Sequence, residues 1–207
     1  PGRAGRAAAI AAGKAPVTAC PVGGPPVAKA VGAIMGQEVE EGTRMRAYVK
    51  CSGDCEKAKE NFTYTGVEDC EMMAFVPGSG AKACRYGCLG YGACVKACPF
   101  DAIHIVNGIA VVDKEACKAC GACVGKCPRH LIELVPYDQK VTVACSSKDK
   151  GKAVMDACSL GCIGCKKCEK TCPNDAIHVT DNVAHIDYEK CTNCGACKAA
   201  CPRKCIL

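Results

Sequence analysis

Hydrophobic positions in this chain fall in short runs, not in long amphipathic stripes. Ile103–Val106 and Ile109–Val112 are β-branched runs on either side of Asn107-Gly108. That dipeptide accepts positive φ at both positions and so closes a two-residue hairpin. A second pair of runs flanks Asp181-Asn182 and predicts the same element. Ahead of each hairpin, Asp-Ala-Ile after a Cys-Pro reads as a short helical turn. The N-terminal fifty residues differ in kind, being rich in Ala, Gly and Pro. There Ala7–Ala12 predicts a helix, Gly23–Pro26 a breaker and Val27–Met35 a second helix. The fold class expected is α+β, built from small units. No run of 18 or more apolar residues occurs, so no membrane span is predicted from these residues.

Composition changes the picture of the core. Aromatic residues are only 4 % of the chain and Trp is absent, whereas Cys occurs 23 times. A core of large rings is therefore unavailable. Small apolar side chains around an inorganic centre are the substitute, with metal binding supplying much of the folding free energy.

The cysteines lie in runs that end in Cys-Pro. Three are complete C-x2-C-x2-C-x3-C-P motifs: Cys117, Cys120, Cys123 and Cys127; Cys162, Cys165, Cys168 and Cys172; Cys191, Cys194, Cys197 and Cys201. A fourth, Cys84, Cys88, Cys94 and Cys98, is altered. Disulfide scaffolds are usually shorter and have no reason to follow every fourth Cys with Pro. Zinc sites pair C-x2-C units across a longer gap. Ligation of [4Fe-4S] clusters explains both the triplet and the Cys-Pro, and it implies a reducing compartment. It also reverses the reading of charge. Each oxidised cluster with four thiolates carries about −2, so four of them take the formal +6 of the chain to about −2. The basic total is thus no argument for a nucleic-acid partner.

A shift of 74 residues superposes the runs: Cys84 falls on Cys158, Cys88 on Cys162, Cys94 on Cys168 and Cys98 on Cys172, and the following run matches equally well. The chain therefore reads as tandem bacterial-type dicluster ferredoxin modules, residues 84–142 and 143–207, after an N-terminal segment 1–48 and a Cys-containing insert 49–83. In such modules the fourth Cys of each run ligates the other cluster. This pairs Cys117, Cys120 and Cys123 with Cys98; Cys162, Cys165 and Cys168 with Cys201; and Cys191, Cys194 and Cys197 with Cys172. The remaining site has Cys88, Cys94 and Cys127, with Tyr91 where the repeat places Cys165. Its fourth ligand could be Cys84. Alternatively Cys51, Cys55 and Cys70 form an extra site into which Cys84 is shared. The competing use of these thiols is as buried structural cysteines, which is also the expectation for Cys145, Cys158 and Cys205. At least four clusters are expected, and up to six. Val49-Lys50-Cys51 resembles Val143-Ala144-Cys145.

The sequence Ala19-Cys20-Pro21-Val22-Gly23-Gly24, then the helix AKAVGAIMG, then tandem ferredoxin modules, resembles the B subunit of the Rnf electron-transport complex in its extended clostridial-type form. That resemblance implies an electron-transfer subunit of an ion-translocating ferredoxin:NAD+ oxidoreductase. Reduced ferredoxin would be the donor, the NAD-binding and membrane subunits the partners, and the cytoplasmic face of the membrane in an anaerobic prokaryote the location. Membrane attachment would come through a segment not in this chain. The family also carries a motif C-x2-C-x4-C-x16-C, whose last cysteine matches Cys20 and whose third falls on Arg3. Cys20 is thus either a remaining ligand or a relic. No substrate-transforming site is expected, and no G-x-G-x-x-G fingerprint is present. Lys148, Lys150, Lys152, Lys166, Lys167 and Lys170 crowd the C-terminal module and could steer an acidic ferredoxin, or simply offset cluster charge. His104 and His178, at equivalent places after Asp-Ala-Ile, are expected to be structural, and Asp101 and Asp175 to brace the turn. The alternative function is a soluble polyferredoxin carrier, or the wire subunit of a hydrogenase or dehydrogenase.

Overall fold

The computed structural model describes residues 2–20, 22–39 and 42–207, apart from the side chain of Arg3. Helices α1 (Arg3–Ala11) and α2 (Gly24–Met35) form the N-terminal segment. Helix α2 begins three residues before the expected Val27. Pro25 and Pro26 fall in its first turn, where the missing N–H would have had no partner. Gly36, at φ 65°, ends it in the left-handed conformation.

The two hairpins form where the pattern places them. Strands β2 (Ile103–Val106) and β3 (Ile109–Val112) pair antiparallel, Ile103 opposite Val112. Strands β5 (Ile177–Thr180) and β6 (Val183–Ile186) pair with Ile177 opposite Ile186. Ile103 and Ile177 are almost fully buried, and each contributes roughly 1.5–3 kcal/mol by leaving water. The expected helical turn before each hairpin is absent. Asp101 (φ 50°) and Asp175 (φ 48°) instead adopt the left-handed conformation, which short polar side chains tolerate, and the strand starts two residues later.

Four short helices follow one construction: α3 (Ala93–Lys96), α4 (Ala122–Lys126), α6 (Lys167–Thr171) and α7 (Ala196–Ala200). Each starts from a left-handed residue, namely Gly92, Gly121, Lys166 and Gly195. The kink turns the third Cys of the run inward, so Cys94, Cys123, Cys168 and Cys197 are all buried.

Strand β1 (Met45–Val49) was not legible locally. It pairs antiparallel with β4 (Ile132–Pro136), which joins residues 45–49 to the first module across the insert. In the second module the counterpart is a bridge between Val143 and Ile206. Two cores result. One gathers Ala47, Val49, Ile103, Leu131 and Ile132 around Cys94, Cys117 and Cys123. The other gathers Val141, Val143, Ile177, Val183 and Ile206 around Cys162, Cys168 and Cys197.

The insert binds the modules together. Its backbone at Lys59 and Asn61 pairs with residues 81–83 on one side. On the other, Lys59 N–H donates to Ala157 O (2.9 Å) and Ser159 N–H to Lys57 O (2.8 Å). Helix α5 (Gly151–Ala157) lies just ahead of that contact. Tyr188 of the second module donates to Glu133 of β4 at 2.9 Å, and Arg85 pairs with Asp149 at 2.7 Å.

Candidate metal centres

Site I is built by α4 and the turn before it. Cys98, Cys117, Cys120 and Cys123 line one recess, as the crossed pairing requires. Ala47 N–H, on β1, donates to Cys117 Sγ at 3.3 Å, and Ala119 N–H donates to the same sulfur at 3.4 Å. Burial, with repulsion from Cys117 and Cys120, pushes the Cys123 thiol up to about 11. Four thiolates crowded this way are unfavourable without a cationic centre among them, which is the condition a cluster core meets.

Site II is the one with the gap at Tyr91. Cys70, Cys88, Cys94 and Cys127 line a common recess. Cys70 arrives from the insert, just ahead of a 3-10 turn over Met72–Phe75. The backbone N–H groups of Tyr91 and Ala93 both hydrogen-bond to its sulfur. Tyr91 therefore holds the replacement thiol by its main chain, while its ring turns to Tyr64, 6.1 Å away between centroids. Cys94 is pushed up to about 12 by burial and by the neighbouring Cys88, Cys127 and Cys70.

Sites III and IV repeat the arrangement in the second module. Burial and the proximity of Cys191 and Cys172 raise the Cys197 thiol. Gln139 Nε2 donates to Cys191 Sγ at 3.3 Å, and Ala176 N–H to Cys172 Sγ at 3.3 Å. These three thiols form the core of site III, and Cys194, which the spacing assigns to it, is exposed. At site IV, Cys162, Cys165, Cys168 and Cys201 line one recess, with Cys165 exposed. A fifth thiol borders it: Cys205 Sγ is 3.6 Å from Cys201 Sγ and buried. It also hydrogen-bonds Cys162, which raises the Cys205 thiol and lowers that of Cys162. At the equivalent place in the first module stands Leu131, likewise buried.

The grouping of Cys51, Cys55 and Cys70 is not what the structure assembles. Cys70 joins site II. Cys55 is exposed, its backbone N–H bonded to Asn107 O beside the first hairpin turn. Cys51 lies instead in a recess with Cys84, Cys145 and Cys158: one thiol from the insert, one from the first module and two from the second. Cys145 and Cys158 thus stand at a thiol-lined recess and not in an inert core. Cys84 is on this recess and not on that of site II.

Cys20 lines a wider recess that Cys117 of site I also borders. A backbone hydrogen bond from Gly23, with Arg6 nearby, lowers its thiol. The side chain of Arg3 lies outside the described residues. His104 stands across the hairpin from Val111 and His178 from His185. His178 Nδ1 is 3.9 Å from Asp175.

Among the described residues no three Cys, His, Asp or Glu side chains converge closely enough to hold a single ion. The thiols stand around recesses instead, as a centre needs when each iron takes its own thiolate.

Comparison with known proteins follows the same lines. Residues 78–128, 116–177 and 161–205 each match a family described as a 4Fe-4S dicluster domain. The chain is 50 % identical over 206 residues to the B subunit of the ion-translocating oxidoreductase complex of Methanosarcina acetivorans, covering 99 % of this chain and 78 % of that one. It is 47 % identical over its whole length to the B subunit of the Na(+)-translocating ferredoxin:NAD(+) oxidoreductase complex of Acetobacterium woodii. It is 43 % identical over 190 residues to the proton-translocating counterpart of Clostridium ljungdahlii. It spans 62 % and 66 % of the length of these last two.

Proposed function

The chain belongs to the B-subunit family of ion-translocating oxidoreductase complexes, and we propose that it takes electrons from reduced ferredoxin and relays them toward the membrane partners of a ferredoxin:NAD+ oxidoreductase. The observation that carries this reading is the series of four-thiol sets in one continuous body. Sites I and II lie in one core and sites III and IV in the other, tied by the insert. We assign [4Fe-4S] clusters to these sites, with Cys70 completing site II. One-electron exchange without bond chemistry is what such clusters supply when bound. The chain's own contribution is to bury the thiols and to aim backbone N–H groups at their sulfurs. Both adjust reduction potential. NAD reduction and ion movement then belong to other subunits of the complex.

The direction proposed runs from the C-terminal module to the N-terminal segment. Lys148, Lys150, Lys152, Lys166, Lys167 and Lys170 are all exposed, and Cys165 of site IV reaches the surface among them. An acidic ferredoxin would be steered to this face. At the other end, Cys117 of site I borders the recess of Cys20. No helix among the described residues is long and apolar enough to cross a membrane. The location proposed is the cytoplasmic face, with attachment through a segment outside these residues.

Rapid mixing of reduced ferredoxin with the holo-protein tests the reading. Lys166→Glu with Lys167→Glu should slow cluster reduction by about tenfold or more at low salt, with the difference fading as ionic strength rises. An unchanged rate at every ionic strength refutes docking at this face. Failure of reduced ferredoxin to reduce the unmutated protein refutes the electron-entry role itself.

A further inference from the structure

The recess shared by Cys51, Cys84, Cys145 and Cys158 lies outside the four dicluster sites. Its construction is two-fold. Cys88 N–H donates to Cys51 Sγ at 3.4 Å, and the residue matching Cys88 in the repeat, Cys162, donates to Cys145 Sγ at 3.3 Å. Gly53 N–H bonds Cys51, and Ser147 N–H, two residues along in the second copy, bonds Cys145 at 3.5 Å. Arg129 Nη1 donates to Cys84 O at 3.1 Å, and its repeat partner Arg203 donates from Nη2 to Cys158 O at 2.8 Å. Backbone crosses between the halves as well: Ser52 N–H bonds Ala144 O, and Ser146 Oγ bonds Lys50 O, both at 3.1 Å. Each half therefore supplies two thiols, one approached by an N–H donor and the other fixed by an arginine on its carbonyl.

Two further features fit a negatively charged centre here. With the open solvent at each mouth included, the recess measures about 530 Å³, against about 390, 320 and 300 Å³ at sites II, IV and I, so it is no smaller than they are. Lys82, which is 6 % exposed, lines it and donates to Gly53 O and Gly108 O, both at 2.9 Å. A cation buried against two neutral carbonyls needs nearby negative charge to offset its desolvation, and thiolates at the recess supply it. The alternative of four inert buried cysteines explains neither the cation nor the sulfur-directed N–H groups.

We propose that Cys51, Cys84, Cys145 and Cys158 hold a further [4Fe-4S] cluster at the junction of the two modules, each thiol losing its proton as it bonds one iron. The cluster joins the halves covalently through iron and stands between the two dicluster pairs. It leaves Cys20, Cys55 and Cys205 as the thiols outside these sites.

Two measurements on the anaerobically purified holo-protein test it. Native mass spectrometry in a Cys20→Ser background, which takes Cys20 out of the count, should find one [4Fe-4S] unit more than sites I to IV provide. A count equal to those four sites overturns the proposal and leaves the proposed function standing. Cys145→Ala with Cys158→Ala should lose about four irons and four sulfides while the EPR signals of the other clusters persist. Full retention of iron in that variant also overturns the proposal. Should the variant fail to fold, the count on the protein with these four cysteines intact decides the matter. Cys55→Ala should lose no iron.

Discussion

Replacing Cys70 with Ala removes the thiol proposed above to complete site II. Its recess keeps Cys88, Cys94 and Cys127; burial drives the thiols of Cys88 and Cys94 toward the neutral form, Cys94 up to about 12. Since each iron takes one thiolate, the variant should lose about one iron if the remaining three ligands retain a [3Fe-4S] core, and about four if they do not. Iron and sulfide quantitation against protein reads the difference. EPR of the oxidised sample separates the two outcomes, because a [3Fe-4S] core is paramagnetic there and an oxidised [4Fe-4S] core is silent. The structure also specifies a rescue. Tyr91 stands where the repeat has Cys165, and its N–H already reaches the Cys70 sulfur. Adding Tyr91→Cys to Cys70→Ala should therefore return the lost iron, with loss of the Tyr64 ring contact as the side effect. Full iron in Cys70→Ala, with no new signal in the oxidised sample, would refute the assignment of Cys70 to site II.

Lys166 is the one non-glycine among the four left-handed residues that start α3, α4, α6 and α7, at φ 58°. Lys166→Gly should stabilise the second module by about 1 kcal/mol, read by chemical denaturation, since an L-residue pays roughly that for this conformation. Tyr188→Phe removes the hydroxyl that donates to Glu133 across the modules. It should cost about 1–3 kcal/mol, softened because Lys50 still pairs with Glu133 at 2.8 Å. Asp69 accepts the N–H groups of Glu71 and Met72 at 2.8 and 3.3 Å, which holds its carboxyl below the usual 3.8. A depressed folded value means this cap is fully formed above the unfolded pKa and is lost as pH falls through the folded one. Asp69→Asn should thus speed iron release from the Cys70 site at neutral pH, and the variant and parent should converge only as the pH falls through the depressed value of Asp69.

The hairpins were legible in the sequence, as were the gap at Tyr91 and the grouping of Cys98 with Cys117, Cys120 and Cys123 and of Cys201 with Cys162, Cys165 and Cys168, which line common recesses. They depend on local turn chemistry and on a ligand spacing fixed by the cluster. The resemblance between Val49-Lys50-Cys51 and Val143-Ala144-Cys145, and the match of Cys84 to Cys158, already held the two-fold signal of the junction. Nothing local, however, said that the two copies face each other.

Pairings between distant segments were decided only by the tertiary structure. β1 reaches β4 across the insert, Cys70 enters site II from the insert, and Cys55 is left at the surface. The insert lies between β1 and the first cysteine run, so its register against both modules is set by backbone pairing with residues 81–83 and 157–159. A thiol's identity and spacing tell which chemistry it can perform. Which four thiols meet depends on how the chain closes its loops around two cores, a long-range property that no short window of sequence contains.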